Sequence, residues 1–238
     1  MKQLLIIHSL DPTTEFLYGI IHFLRENWGD KFEYLQITVP DPNLEQITTS
    51  IAHTKQGSTI IFLGHGASHS IYLPILEGGK PTSLITKTNF NILDGRNFIA
   101  LSCRSSEFIN NCFNPDSNNT MLGFDDLPTH WNDVSAEREV DPKTYRGITD
   151  DVLEQFREIL VSVFCRSLYD AVSKNMDFNQ FHLRLRLYIN KQIFRVTNYD
   201  ISNNSTLLAN ILYELKSGIK LFGDIRTPII YPHNTQPV

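Results

Sequence analysis

The chain has 238 residues, of which 41% are hydrophobic and 20% are charged. This composition suits one globular domain spanning residues 1–238. The formal net charge of −5 argues against a protein that binds nucleic acid directly, because such proteins usually present a basic face. No apolar run approaches the ~18 residues of a membrane span, so we expect a soluble protein without a membrane partner.

The start of the chain and its cysteines indicate a cellular compartment. The N-terminal segment has only a short aliphatic run before Asp11-Pro12, which is typical of a first strand and not of a signal peptide. The cysteines, Cys103, Cys112 and Cys165, have no spacing that predicts a disulfide framework or a CxxC metal pair. We therefore expect a reducing compartment, the cytoplasm.

Apolar runs of strand length alternate with helical patterns in the first half of the chain. The predicted strands cover residues 4–8, 32–39, 59–63, 97–102 and 120–124. A first helix is predicted to open with Asp11 as N-cap and Pro12 at the first helical position, and further helices cover 44–53 and 105–112. A hairpin-like insert, roughly 68–81, contains the turn signal Gly78-Gly79. This alternation predicts a mostly parallel sheet with helices on both faces.

The second half of the chain has a less regular pattern. Residues 133–151 are charged and weakly periodic, which predicts a long surface loop, and residues 152–172 form a strong helical pattern. Residues 181–189 alternate polar and apolar side chains, as a strand does, but their flanks favour a helix. A last helix is predicted over residues 207–219.

Two chemically reactive side chains follow neighbouring predicted strands. His65 comes two residues after the third strand, and Cys103 comes one residue after the fourth. Functional groups of parallel sheets lie beyond the carboxyl ends of the strands, so we expect both at one edge. A cysteine hydrolase needs a thiolate, an imidazole and oxyanion donors. The amides of Gly66 and Cys103 suit the last role, and a helix beginning after Cys103 is expected to lower the thiol pKa.

These segments resemble a known family. Gly64-His65-Gly66 after one apolar strand, and Ser102-Cys103 after the next, are similar to the motifs of caspase-like peptidases: caspases, metacaspases, gingipains, separases and, most similar of all, bacterial CHAT-type peptidases. Leu221-Phe222-Gly223-Asp224 resembles the closing Leu-Phe-Gly-Asp-Pro of many CHAT-type domains, although Ile225 replaces the proline. Arg104 stands where a glycine often follows the nucleophile in caspases and metacaspases.

The resemblance implies a fold and an activity. The fold would be a three-layer caspase-like sandwich, α/β in class, with a mostly parallel central sheet flanked by helices. His65 would be general base and acid, Cys103 the nucleophile, and the Gly66 and Cys103 amides the oxyanion hole, with no metal or organic cofactor. The substrate would be a specific partner protein, as in bacterial antiviral defence. Activation would need a separate activator or sensor protein, or self-cleavage within residues 137–146.

Three residues are candidates for a pocket that binds the P1 side chain of a substrate, the residue before the cut. Asp125 and Asp126 end the fifth predicted strand; they either form a turn before Leu127-Pro128 or select Arg and Lys. Arg104 either lines a pocket for acidic P1 residues or is solvated. His8, at the end of the first strand, is expected to be structural.

Two other functions remain open at this point. One is a catalytically idle pseudoenzyme of the same fold, acting as an adaptor or regulatory module. The other is an unrelated doubly wound α/β domain that binds a small ligand at the strand ends. The combination of His65, Gly66 and Cys103 favours the peptidase over both.

Overall fold

The computed structural model describes residues 3–38, 44–76, 79–199 and 204–230. Within these ranges the strands are β1 (Leu4–Ser9), β2 (Glu33–Ile37), β3 (Thr59–Leu63), β4 (Gly66–Ala67), β5 (Ser70–Tyr72), β6 (Ser83–Thr86), β7 (Asn97–Leu101), β8 (Met121–Gly123) and β9 (Lys220–Phe222). The central sheet has the order β2-β1-β3-β7-β8-β9 and is parallel except for β9. Strands β4, β5 and β6 form a small antiparallel sheet.

Helices cover both faces of the central sheet. They are α1 (Tyr18–Trp28), α2 (Leu44–His53), α3 (Ser105–Cys112), α4 (Trp131–Val140), α5 (Asp150–Ser173), α6 (Phe178–Tyr199) and α7 (Ser205–Gly218), with 3-10 turns at Glu15–Leu17 and Lys87–Leu93. Helices α1, α5, α6 and α7 pack on one face, and α2, α3 and the small sheet pack on the other. The predicted three-layer α/β architecture with a mostly parallel central sheet is therefore confirmed.

Successive side chains of each strand point to opposite faces of the sheet, and both faces are apolar because each is covered by other elements. In β3, Ile61 and Leu63 belong to the core under α1 and α5, whereas Ile60 and Phe62 belong to the core under α2 and α3. All of β3 is buried, because a central parallel strand has no solvent-facing side. In the part of the chain described, none of the helices combines the length and apolarity needed to cross a bilayer.

The structure corrects three predictions about segments. Residues 11–14 form turns, and α1 begins only at Tyr18, because the Asp11 carboxylate caps those turns and contacts other groups. The predicted loop 133–151 contains most of α4. The predicted insert 68–81 is part of the larger β4–β6 sheet; its turn signal at Gly78, like residues 39–43, lies outside the described residues.

One further prediction is confirmed by the structure, and one strand of the central sheet was not predicted. The helical interpretation of residues 181–189 is confirmed, since they lie inside α6. Strand β9 was not predicted, because three residues give too short a pattern to recognise. It pairs antiparallel with β8, and the chain after it returns to the sheet, where the Ile229 carbonyl accepts a hydrogen bond from Thr59 Oγ1 at 2.6 Å.

Gly123, at the end of β8, permits α3 to lie directly on the sheet. A Cβ at this position would stand 2.6 Å from the Ser106 nitrogen and 2.7 Å from its Cα, and neither backbone atom can move alone. We expect Gly123→Ala to lower the free energy of unfolding by about 1–3 kcal/mol in urea denaturation.

Gly19→Ala is the matched control for that substitution. Gly19 lies in α1, and its Cβ would meet only the Val161 Cγ1, at 3.1 Å. A methyl group can shift, and alanine is the better helix former, so stability should stay equal or rise. Equal losses in the two variants would contradict the argument from close backbone packing.

Candidate functional site

His65 lies at the carboxyl edge of the sheet, two residues after β3. Its Nε2 is 3.0 Å from Asp11 Oδ2 and 2.8 Å from Thr13 Oγ1. Its backbone carbonyl accepts a hydrogen bond from the Tyr72 amide at 3.0 Å, which ties it to β5. Both the backbone and the ring of His65 are therefore held in place, and 19% of its side chain remains exposed.

Asp11 is the residue that orients this imidazole, and sequence reasoning assigned it only a helix cap. Its side chain is 1% exposed. Oδ1 accepts hydrogen bonds from the amide and hydroxyl of Thr13, and Oδ2 accepts from the Ile75 amide. Burial raises the pKa of Asp11, but the hydrogen bonds from His65, Ile75 and Thr13 outweigh burial and hold the pKa well below its usual range.

The ionised Asp11 selects one form of the neutral imidazole. The Thr13 hydroxyl already donates to Asp11 Oδ1, so it accepts from His65, and Nε2 must carry the proton. In the neutral ring the other nitrogen, Nδ1, is then the basic one. The carboxylate thus orients the ring and leaves Nδ1 as the unprotonated nitrogen.

His8 supports the loop that carries Asp11. It is fully buried, with Nε2 3.1 Å from the Thr14 carbonyl oxygen and Nδ1 3.3 Å from the Tyr34 hydroxyl. Burial, opposed by the hydrogen bond to Thr14 and the charge of Asp11, lowers its pKa. The contacts agree with the expected structural role.

Cys103 follows β7 in a tight turn that leads into α3. Ser105 Oγ fixes this turn, because it donates to the Ala100 carbonyl at 2.7 Å and accepts from the Phe124 amide at 2.9 Å. Arg104 has φ 53°, in the left-handed region that glycine adopts without strain. Arg104 therefore adopts a conformation that residues other than glycine take up only at an energetic cost.

The Cys103 thiol is protonated in this conformation. It donates to the Leu127 carbonyl oxygen, with 3.2 Å between sulfur and oxygen. Burial raises its pKa well above the usual range, and the charge of Asp133 raises it further, which outweighs the bond to Leu127. The expectation that this pKa is lowered is wrong: α3 begins at Ser105 as predicted, but burial, the largest cause, raises the pKa.

His65 and Cys103 face the same small cavity, of about 20 Å³. It has room for about one water molecule. The residues around it come from β3, β7, the loop after β1, the segment after β8 and α5: Thr14, Phe16, Leu17, Gly64, His65, Leu101, Ser102, Cys103, Leu127, Thr129 and Leu160. The sheet thus brings the two predicted side chains together, although each forms its hydrogen bonds with other groups.

The proposed oxyanion donors lie beside this cavity. A Cβ on Gly66 would stand 2.7 Å from Ser102 Oγ and 2.9 Å from the Cys103 carbonyl oxygen, so only glycine fits. The bond from the Tyr72 amide to His65 makes Gly66 a non-hydrogen-bonded position of the β4–β5 ladder, and its N–H faces away from β5. Among the described residues, no protein group accepts from the Cys103 N–H.

The candidate P1-pocket residues differ in their surroundings. Asp125 is half-exposed, 3.6 Å from Lys220 Nζ. Arg104 forms an exposed ion pair with Glu107 at 2.7 Å. Asp126 is partly buried, and burial, with the charges of Glu137 and Asp125, raises its pKa to about 6.

Two further carboxylates act on Cys103. Asp133 and Glu137, both on α4, contribute with Asp126 to the raised thiol pKa. Sequence reasoning placed them in a surface loop, and no motif identifies them. The side of Cys103 that faces α4 is therefore strongly acidic.

No family model matches the chain, and no curated protein matches it significantly.

The pH dependence of stability tests the role of Asp11. Its folded pKa lies below the unfolded value, so the contribution of the carboxylate is complete above the unfolded pKa of about 3.9 and is lost as the pH falls below it. We expect Asp11→Asn to cost about 1–3 kcal/mol at pH 6, and the difference from wild type to shrink by pH 3. Urea denaturation at several pH values measures this.

Asp116→Asn is the control for this series, because the Asp116 side chain is exposed. It should cost little at any pH. A cost of Asp11→Asn that stays constant down to pH 3 would show that the lost interactions do not depend on its charge.

Proposed function

We propose that the chain is a cysteine endopeptidase in which Cys103 is the nucleophile and His65 is the general base and acid. One observation carries the proposal: the two side chains line one cavity at the carboxyl edge of the sheet. The buried, ionised Asp11 supports it, because an imidazole oriented by a carboxylate is a competent base.

The proposed reaction begins with proton transfer from the Cys103 thiol to His65 Nδ1. The sulfur attacks the peptide carbonyl carbon, a C–S bond forms, and the carbonyl electron pair moves to the oxygen. The C–N bond then breaks, and Nδ1 returns the proton to the leaving amine. Water, deprotonated by His65, hydrolyses the thioester and regenerates the thiol. The Gly66 and Cys103 amides would stabilise the oxyanion, and the proposal needs no cofactor.

We propose Lys or Arg as the P1 residue. Asp126, Asp133 and Glu137 make the surroundings of the thiol acidic, and a cationic side chain would relieve their mutual repulsion. Asp125 is a weaker candidate because it lies beside Lys220. The Arg104 guanidinium is paired with Glu107, which argues against a pocket for acidic residues.

The cellular setting that we propose follows from the resemblance. The substrate would be one specific partner protein, cleaved in the cytoplasm as part of a bacterial defence or regulatory system, with a separate activator or sensor protein. Self-cleavage within residues 137–146 remains a candidate activation step, and the stretch includes the end of α4.

The idle pseudoenzyme is the second candidate function. It is favoured by one observation, the bond from the Cys103 thiol to Leu127 with its raised pKa, because a protonated thiol is a poor nucleophile.

Peptide cleavage distinguishes these candidates. A panel of fluorogenic peptides with basic, acidic, Asn and small P1 residues should be cleaved after Lys or Arg, and Cys103→Ala or His65→Ala should reduce kcat/KM at least about 1,000-fold. Cys112→Ala is the matched control, since this half-buried cysteine lies at the end of α3, and it should retain activity. Cleavage that survives Cys103→Ala would refute the assigned nucleophile.

Asp126→Asn tests the P1 preference. We expect about tenfold or greater loss of kcat/KM for Arg peptides, with little change for small P1 residues, because the lost charge recognises only the cation. An equal loss on all peptides would point to a structural role for Asp126. If no peptide is cleaved and no peptide-like electrophile labels Cys103, the pseudoenzyme is the better description.

A further inference from the structure

The connection between β8 and α5, residues 125–149, covers the thiol of Cys103. Its apolar anchors Leu127, Val134 and Ile148 are buried in the core that also packs α1 and α5. Leu127 directly follows the acidic pair at the end of β8, and its carbonyl oxygen reaches Cys103 Sγ. We call residues 125–149 the β8–α5 segment.

The contact between Leu127 and Cys103 is incompatible with bound substrate. A peptide carbonyl must approach the sulfur, but the Leu127 carbonyl is already 3.2 Å away. The remaining cavity of about 20 Å³ holds about one water molecule, far less than a peptide group with its side chain. The bond also uses the thiol proton that His65 would have to remove.

The same segment keeps the thiol in its neutral form. The charged groups that act on Cys103 are Asp126, Asp133 and Glu137, all within the β8–α5 segment. Negative charge close to the sulfur disfavours the thiolate, and a neutral thiol is the form that donates to a carbonyl. The Leu127 contact, which blocks the sulfur, and the nearby carboxylates, which disfavour the thiolate, therefore both reduce the reactivity of Cys103.

The outer part of the segment is held by few contacts. In α4 only Val134 is buried. The Trp131 indole N–H donates to Asp150 at the start of α5, whereas the Arg138 guanidinium donates to the Tyr145 carbonyl, at 2.8 Å, within the segment itself. Segments with few buried contacts open at low free-energy cost. Repulsion between Asp126 and Glu137 lowers that cost further.

We propose that the β8–α5 segment is an autoinhibitory lid, which holds Cys103 as a neutral thiol through the Leu127 carbonyl and must be displaced before substrate binds. The regulatory role of the lid rests on the proposed peptidase function. The presence of the lid can be tested separately, through the accessibility and ionisation of the Cys103 thiol. Displacement would turn the sulfur away from Leu127 and remove three carboxylates, which leaves His65, on the same cavity, as the base of the proposed reaction.

Alkylation by iodoacetamide at pH 8, followed site by site with mass spectrometry, tests the lid in the full chain. Cys112 is the internal reference, because it is partly buried like Cys103 but lies on α3, outside the lid, without the bond to Leu127. In the wild type we expect Cys103 to react at least tenfold more slowly than Cys112. Trp131→Ala and Asp150→Ala each remove the hydrogen bond that joins the lid to α5 and should accelerate Cys103 alkylation at least threefold, with Cys112 unchanged.

Tyr213→Ala is the matched control, since it removes an exposed aromatic side chain from α7, and it should change neither rate.

Two outcomes would overturn the lid. One is a Cys103 that reacts as fast as Cys112 in the wild type; the other is an unchanged Cys103 rate in both anchor variants with wild-type Tm. The peptidase is tested separately: faster alkylation without any cleavage by the anchor variants would uphold the lid and overturn the enzyme.

Discussion

The parallel pairing of β3 with β7 is the constraint on which the site depends. Leu63 lies opposite Leu101 in this register, and the Gly64 amide continues the ladder to the Leu101 carbonyl at 3.3 Å. Since both strands end at the same level, the next residues of each turn outward over one edge. A shift by one residue would move each side chain to the opposite face of the sheet. The cavity between His65 and Cys103 therefore follows from strand register, which the two apolar cores enforce.

Hydrogen bonds beyond that edge orient the His65 ring and hold the protonated Cys103 thiol. Asp11 arrives from β1, the neighbour of β3 on its other side, and its buried carboxylate orients the imidazole. Leu127 arrives from the end of β8, the neighbour of β7, and its carbonyl holds the thiol. The order β1-β3-β7-β8 thus places the group that orients the imidazole and the group that binds the thiol on either side of the central pair.

The parts of this arrangement that could be predicted from sequence are those with a repeated local pattern. Apolar runs such as 59–63 and 97–101 identify strands, and strand ends in a parallel sheet identify His65 and Cys103. Asp11 was mistaken for a helix cap because Asp-Pro-Thr-Thr satisfies local capping rules equally well, and its contact with His65 spans more than fifty residues. Leu127 could not be found at all, since its role lies in a backbone carbonyl. The thiol pKa was predicted in the wrong direction because burial depends on tertiary packing. In addition, Asp133 and Glu137 raise it from α4, whose charged sequence has a weak helical pattern.

The contact between Thr59 and Ile229 has a consequence for the order of events during synthesis. His65 and Cys103 precede the antiparallel strand β9 and the fully buried Ile229 by more than a hundred residues of the chain. Until these residues leave the ribosome, β8 has an open edge and the start of β3 lacks its cover. A nascent chain therefore carries Cys103 on an incomplete sheet until β9 and Ile229 have been added. During synthesis the Cys103 thiol is thus present before the central sheet that supports it is complete.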